Sequence, residues 1–206
     1  MKQFLILTDA ELLTPDNDFF YYCLWYNYSL LTHEFNVSKA SLNKTAYITH
    51  DKVDRFNKDY FSKYNNIIQW QTLRNHLNEY KDKVQEEKSG QYLVIIPLTV
   101  VDKVMETIVA SGVKPQGWSV YFRTWCYFWM VIQTNNGEET KISQPGAAKK
   151  LKVNTTTLNE IVLNLMRLNL IERVGNFQYN VKYSHGFSYK IPKSIEVLSE
   201  NNWNMD

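Results

Sequence analysis

Between Lys141 and Val174 the chain reads KISQPGAAKKLKVNTTTLNEIVLNLMRLNLIERV, and this stretch constrains the fold more than any other. Ser143 stands where a helix N-cap is expected, and Pro145 falls in the first turn, where a missing N–H does no harm. The helix so opened is expected to run to about Leu151. Asn154 is the expected cap of a second helix. Its apolar residues Leu158, Ile161, Val162, Leu165 and Leu168 fall at offsets 0, 3, 4, 7 and 10, on one face. Leu170-Ile171 reads as a strand start, Gly175-Asn176 as a hairpin turn, and Phe177 to Val181 as the returning strand.

Charge sets the same stretch apart. Lys141 to Lys193 holds nine Lys or Arg and two Glu, a net of +7, whereas residues 1–140 carry a net of −2 and the residues after Lys193 a net of −3. A basic segment in a chain whose total is only +2 points to a localised anionic partner. A solvated surface is the plainer reading of the same lysines.

The rest of the chain reads as support for this unit or as a worn copy of it. Phe4 to Leu7 is an expected strand, and Thr14 or Asp16 a candidate cap before an aromatic-dense helix, Phe19 to Leu31. Residues 33–46 read as loop. Thr49-His50-Asp51 is the expected cap of a short helix to about Asp59. A longer helix is expected from about Asn65 to Lys83, with Trp70, Leu73, Leu77, Tyr80 and Val84 on one face. Glu86 to Gly90 reads as a turn, Gln91 to Ile96 as a strand ended by Pro97, and Thr99 to Ala110 as an amphipathic helix. Lys114-Pro115-Gln116-Gly117 is the best candidate boundary. Trp118 to Gln133 predicts a second aromatic-rich helix, and Thr134 to Thr140 a loop. Residues 182–198 read as an extended stretch with a short helix, and Asn201 to Asp206 as a frayed tail. The predicted division is residues 1–113 as an N-terminal domain and residues 114–206 as a C-terminal one.

Several function classes find no support. Cys23 and Cys126 lie in aromatic runs and read as buried, reduced thiols. His33, His50, His76 and His185 lack metal-ligand spacing, so neither a metal nor a cofactor is expected. There is no glycine-rich phosphate loop, no nucleophile signature and no His-hydrophobe-His, so an enzyme is not expected. Met1-Lys2-Gln3 leads into only a short apolar run, which is no signal peptide. The most apolar segment, Trp118 to Ile132, is interrupted by Arg123 and too short to span a bilayer. A soluble cytoplasmic protein without a membrane partner is the expectation.

The pattern Ala148-x-x-Leu151-x-Val153-Asn154-x-x-Thr157-Leu158, followed by Leu165, Leu168, Leu170 and Ile171, resembles winged helix-turn-helix DNA-binding domains. It is most similar to those of bacterial regulators of the GntR and MarR kinds. The run Leu168 to Arg173 is similar to their helix-to-wing junction, and the helix at Trp118 would be the first of the unit. The likeness covers about 50 to 70 residues, counted from that helix. In GntR-type proteins the module comes first and an effector domain follows; here it lies C-terminal, which puts small-molecule control in doubt. Residues 15–97 show a similar order of elements without the sequence signature. Tandem winged helices resemble plasmid and phage replication initiators. The resemblance implies a mainly α fold with small β wings (α+β), a tandem winged helix-turn-helix.

It also implies a partner, double-stranded DNA, bound by a homodimer in transcription regulation or DNA replication. A recognition helix presents its N-terminal residues to base edges in the major groove. Here these are Asn154, Thr155, Thr156, Thr157 and Asn159, suited to an A·T-rich site through thymine methyls and adenine. Gln144, Lys149, Lys150 and Lys152 would flank the groove, and Arg173, Asn176, Gln178 and Lys182 would form the wing. Gln69, Gln71, Thr72, Arg74 and Asn75 are a possible second DNA face, with Glu79, Asp82, Glu86 and Glu87 close by to repel phosphate. In the competing reading the protein is an interaction module, with Trp118, Trp125 and Trp129 at an interface instead of in a core.

Overall fold

The structure, a computed structural model, describes residues 4–31, 48–64, 67–86, 93–175 and 187–200. The fold is mainly helical with two small antiparallel sheets. Strand β1 (Phe4–Thr8) leads into the short helix α1 (Asp9–Leu13), opened by a capping box. The Thr8 side chain accepts from the Glu11 N–H, and the Glu11 carboxylate accepts from the Thr8 N–H. Helix α2 (Phe19–Leu31) follows with the expected bounds. It is apolar nearly all round, with Phe19, Phe20, Cys23 and Leu24 fully buried, so it sits inside the molecule.

Helix α3 (His50–Asp59) starts after Thr49, whose side chain makes no capping bond. A 3₁₀ segment, Phe61–Tyr64, follows it. The next helix, α4 (Trp70–Glu86), begins five residues later than the expected Asn65. Asn57 is the reason. Its side chain accepts from the Ile68 N–H at 3.0 Å and donates to the Ile68 carbonyl at 2.8 Å. With both backbone groups taken, Ile68 is held outside the helix and buried.

Strand β2 (Leu93–Pro97) pairs antiparallel with β1, Ile6 facing Ile95. Pro97 does not simply end this strand: it pairs with Phe4 and is the N-cap of α5 (Leu98–Ala110). Strand β2 thus joins the N-terminal strand. Helix α6 (Pro115–Thr134) takes its first turn from the expected boundary, Lys114 to Gly117. Pro115 suits that turn because its absent N–H is not needed there. The residues expected to divide the chain therefore start its longest described helix, which packs on both α2 and α5. Phe20 meets Trp118 and Phe122 at ring separations of 5.3 and 6.0 Å, and buried residues of both halves form one cluster. Trp118, Trp125 and Trp129 are core residues, not an interface. Their indole N–H groups are used inside the fold, donating to the carbonyls of Val113, Leu170 and Ile95.

The C-terminal part continues with β3 (Thr140–Ile142), inside or just after the expected loop, then α7 (Gln144–Leu151) and α8 (Thr155–Arg167). Strand β4 (Glu172–Val174) starts two residues after the expected Leu170. Strand β5 (Phe187–Lys190) and helix α9 (Lys193–Glu200) complete the described chain. The sheet order is β3-β5-β4, so the last strand lies between the other two. The expected returning strand Phe177–Val181, the loop 33–46 and the tail 201–206 lie outside the described residues.

Among the described elements the two halves repeat an order. Strand β1 with helices α1 to α4 is matched by β2 with α5 to α8, with β3 an addition between α6 and α7. An antiparallel pair has a local two-fold through facing residues, here Ile6 and Ile95. That two-fold carries Thr8 onto Pro97, and each of these caps the helix that follows it. The corresponding helices α2 and α6 pack together, and α4 packs on α2 as α8 packs on α6.

The turn between α7 and α8 is closed by two backbone bonds. The Lys152 N–H reaches Lys149 at 3.3 Å, and the Val153 N–H reaches Ala148 at 3.0 Å. This is a Schellman ending, and its left-handed residue is Lys152, at φ +52°. A Cβ in that conformation costs about 1 kcal/mol, which glycine avoids. Lys152→Gly is expected to stabilise the fold by about 0.5 kcal/mol, measured as a raised urea midpoint at unchanged slope. Asn169, at φ +55° in the matching ending of α8, should gain less from the same change, because Asn tolerates this region. A lowered midpoint in Lys152→Gly would contradict the geometry of the turn.

Candidate nucleic-acid interface

Helix α8 is held from its apolar side. Leu158, Ile161, Val162 and Leu165 are buried, Leu168 is half-buried, and the helix lies against α6 and α7. Ala147 and Ala148 are buried where α7 meets α8, small enough to let the backbones approach. Val153 is half-buried against the core and fills the turn. The Asn154 side chain accepts from the Thr156 N–H at 2.8 Å, which starts α8 and fixes its direction. Ser143 does the same for α7, accepting from the Gly146 N–H at 3.2 Å.

That support leaves the opposite face outward. Thr155, Thr156 and Thr157 are all exposed at the N-terminal end of α8. Lys149, Lys150 and Lys152 are exposed on the last turn of α7 and the connecting turn. The three threonines and three lysines are thus brought to one end of the helix pair. Other expected site residues are placed differently. The Asn154 oxygen is spent on the cap, so its role is first structural. Asn159 is half-buried, with Oδ1 enclosed and without a hydrogen-bond partner among the described residues. Gln144 donates to the Tyr189 hydroxyl at 2.9 Å, which ties α7 to β5. Arg173 lies over the Phe187 ring at 4.8 Å, a contact between neighbouring strands β4 and β5. Asn176, Gln178 and Lys182 lie outside the described residues.

The possible second face is on α4. Gln71, Thr72 and Asn75 are exposed there, as is Gln69 just before it, and Gln71 donates to Asn75 at 2.9 Å. Arg74 is half-buried, its guanidinium 5.1 Å from the Trp70 ring. Trp70 stacks on His50 at 4.1 Å and donates to the Ile48 carbonyl. Further along, His76 contacts Asp18 at 2.6 Å and stacks on Tyr21. The hydrogen bond to Asp18 holds the His76 proton more tightly than usual, against the opposing effect of burial. Exposed Glu79 and Asp82 follow on the same helix, so this face is far less basic than the one at α8.

Arg123 is a residue whose role in the site the sequence left unassigned. It lies on α6, and its Nη2 donates to the Leu151 carbonyl at 2.7 Å. A cation therefore meets the C-terminal end of α7, where the helix dipole favours it, and fixes the turn before α8. The signal was visible: one charge inside an otherwise apolar aromatic helix. Burial lowers its proton affinity.

No described helix is long and apolar enough to cross a membrane. Among the described residues no group of three or more His, Cys, Asp or Glu side chains is placed to hold a metal ion. Comparison with protein-family models, curated proteins and solved structures finds no match to this chain.

Proposed function

We propose that residues from Pro115 to Lys190 form a winged helix-turn-helix and that the protein binds double-stranded DNA sequence-specifically, as a transcriptional regulator. The observation that carries this is the outward end of α8: Thr155, Thr156 and Thr157 exposed, with exposed Lys149, Lys150 and Lys152 beside them. The order helix, strand, helix, helix, strand, strand and the sheet order β3-β5-β4 support the same reading. Threonine methyls and hydroxyls at base edges suit thymine-rich sequence, and the lysines suit phosphates. The partner is the DNA duplex, and no cofactor, metal or catalytic residue is invoked.

A second reading, a plasmid or phage replication initiator, is favoured by the repeated order of elements about the β1–β2 pair. One chain then carries two such units, with α4 the counterpart of α8. The homodimer expected from the sequence goes with either reading, and binding to repeated origin sites rather than to promoter DNA separates the two.

The test is a gel-shift titration against the DNA upstream of the protein's own coding sequence. Thr156→Ala is expected to weaken binding about tenfold, the size of one lost base contact. Lys150→Ala is expected to weaken binding to every sequence alike. Absent or salt-insensitive binding by the unmodified protein sinks the proposal.

A further inference from the structure

A cleft of about 410 Å³ opens between the two halves of the molecule. Its walls are the segment around Asp16, Glu79 and Lys83 of α4, Arg123 of α6, and Lys152 and Val153 in the turn before α8. Arg123 is only 3 % exposed, yet two of its three nitrogens, Nε and Nη1, are buried and make no hydrogen bond among the described residues. A guanidinium stripped of water and left with bare N–H groups is costly, and a charged acceptor is what would offset that cost best.

The neighbouring carboxylates do not supply it. Asp16 is paired with Lys83 and accepts from the Asp18 N–H. Asp18 is paired with His76. Each is engaged elsewhere, and Arg123 Nε and Nη1 bond to neither. Glu79 is exposed at the wall, and Lys152 is exposed on the side of the turn. Arg123, with two donors unused, and Lys152 are therefore both residues of the cleft wall.

We infer that this cleft binds a small oxyanion, the carboxylate or phosphate group of a metabolite, with Arg123 as its principal donor and Lys152 as a second cation. Guanidinium and oxyanion are matched in charge and in hydrogen-bond geometry. Because Arg123 also holds the Leu151 carbonyl, the ligand would be one residue's width from the turn that aims α8. The site stands independently of the DNA reading, since binding is measured without DNA.

The experiment is a thermal-shift titration of the full chain with sodium phosphate or sodium acetate, against sodium chloride at matched ionic strength. The expected result is a saturable rise in melting temperature beyond that in chloride. The anion with the larger rise assigns the ligand class. Arg123→Lys keeps a cation but loses the planar fork, and is expected to weaken binding roughly tenfold. Should Arg123→Lys fold poorly, Glu79→Gln provides the independent arm. It removes an exposed negative charge from the wall and should tighten binding severalfold. Equal rises in chloride and in both oxyanions overturn the inference. So does an affinity unchanged in both variants.

Discussion

Replacing Lys149, Lys150 and Lys152 together by Gln is expected to weaken DNA binding on the order of a hundredfold at low salt, without unfolding the protein. All three side chains are exposed, so their removal costs little packing. Each phosphate neutralised by a lysine contributes about 0.9 to the slope of log affinity against log salt. The triple variant should therefore show a slope shallower by about 2 to 3, measured by fluorescence anisotropy between low and physiological salt. This signature separates phosphate contacts from base contacts. Thr156→Ala should lower affinity at its preferred site while leaving the salt slope unchanged. If the triple variant keeps the unmodified slope, the basic turn does not lie on the phosphates, and the proposed orientation of α8 is wrong.

Trp125→Ala should destabilise the fold by about 3–5 kcal/mol, the usual range for a large aromatic lost from a packed core. Trp125 is fully buried on α6. Its ring lies 6.2 Å from Phe122 and 5.3 Å from Trp129, and its N–H donates to the Leu170 carbonyl at 3.0 Å. It thus joins the central helix to the segment that leaves α8. Trp125→Phe keeps most of the ring but loses that hydrogen bond, and should cost about 1–3 kcal/mol. Urea denaturation followed by circular dichroism measures both. A loss under about 1 kcal/mol for the alanine variant would mean that the site is not packed as described.

The parts of the fold that were legible in the sequence are those set by near neighbours along the chain. Ser143 and Asn154 cap their helices through their own side chains, and the apolar spacing of Leu158 to Leu165 places one face inward. Helix α2 has its predicted bounds because its aromatic run leaves no polar face to interrupt it. The late start of α4 was not legible, since it depends on Asn57 holding Ile68 across a gap that no periodicity marks. Lys114 to Gly117 reads as a boundary and is also a helix start, because proline suits a first turn as well as a linker. The tryptophans Trp118, Trp125 and Trp129 fit core or interface equally by composition, and only their surroundings decide for the core.

The candidate site divides in the same way. Thr155 to Thr157 were identifiable because they lie opposite an apolar face of known period, and the lysines because the local charge is so uneven. The bond from Gln144 to Tyr189 was not legible, because its partner is far along the chain. Arg123 was visible as an anomaly without a meaning until Leu151 and the cleft were placed beside it.

By itself the sequence determined the mainly helical class, most of the helices, and the outward end of the second helix in Lys141–Val174. These follow from caps and periodicity, which act within a few residues. Only the tertiary structure decided that β2 pairs with β1, that β5 enters between β3 and β4, and that α2 packs against α6. Each joins residues distant in the chain, and the choice among partners is made by the fit of whole buried faces. A local pattern shows that a face is apolar, but not which other face will cover it.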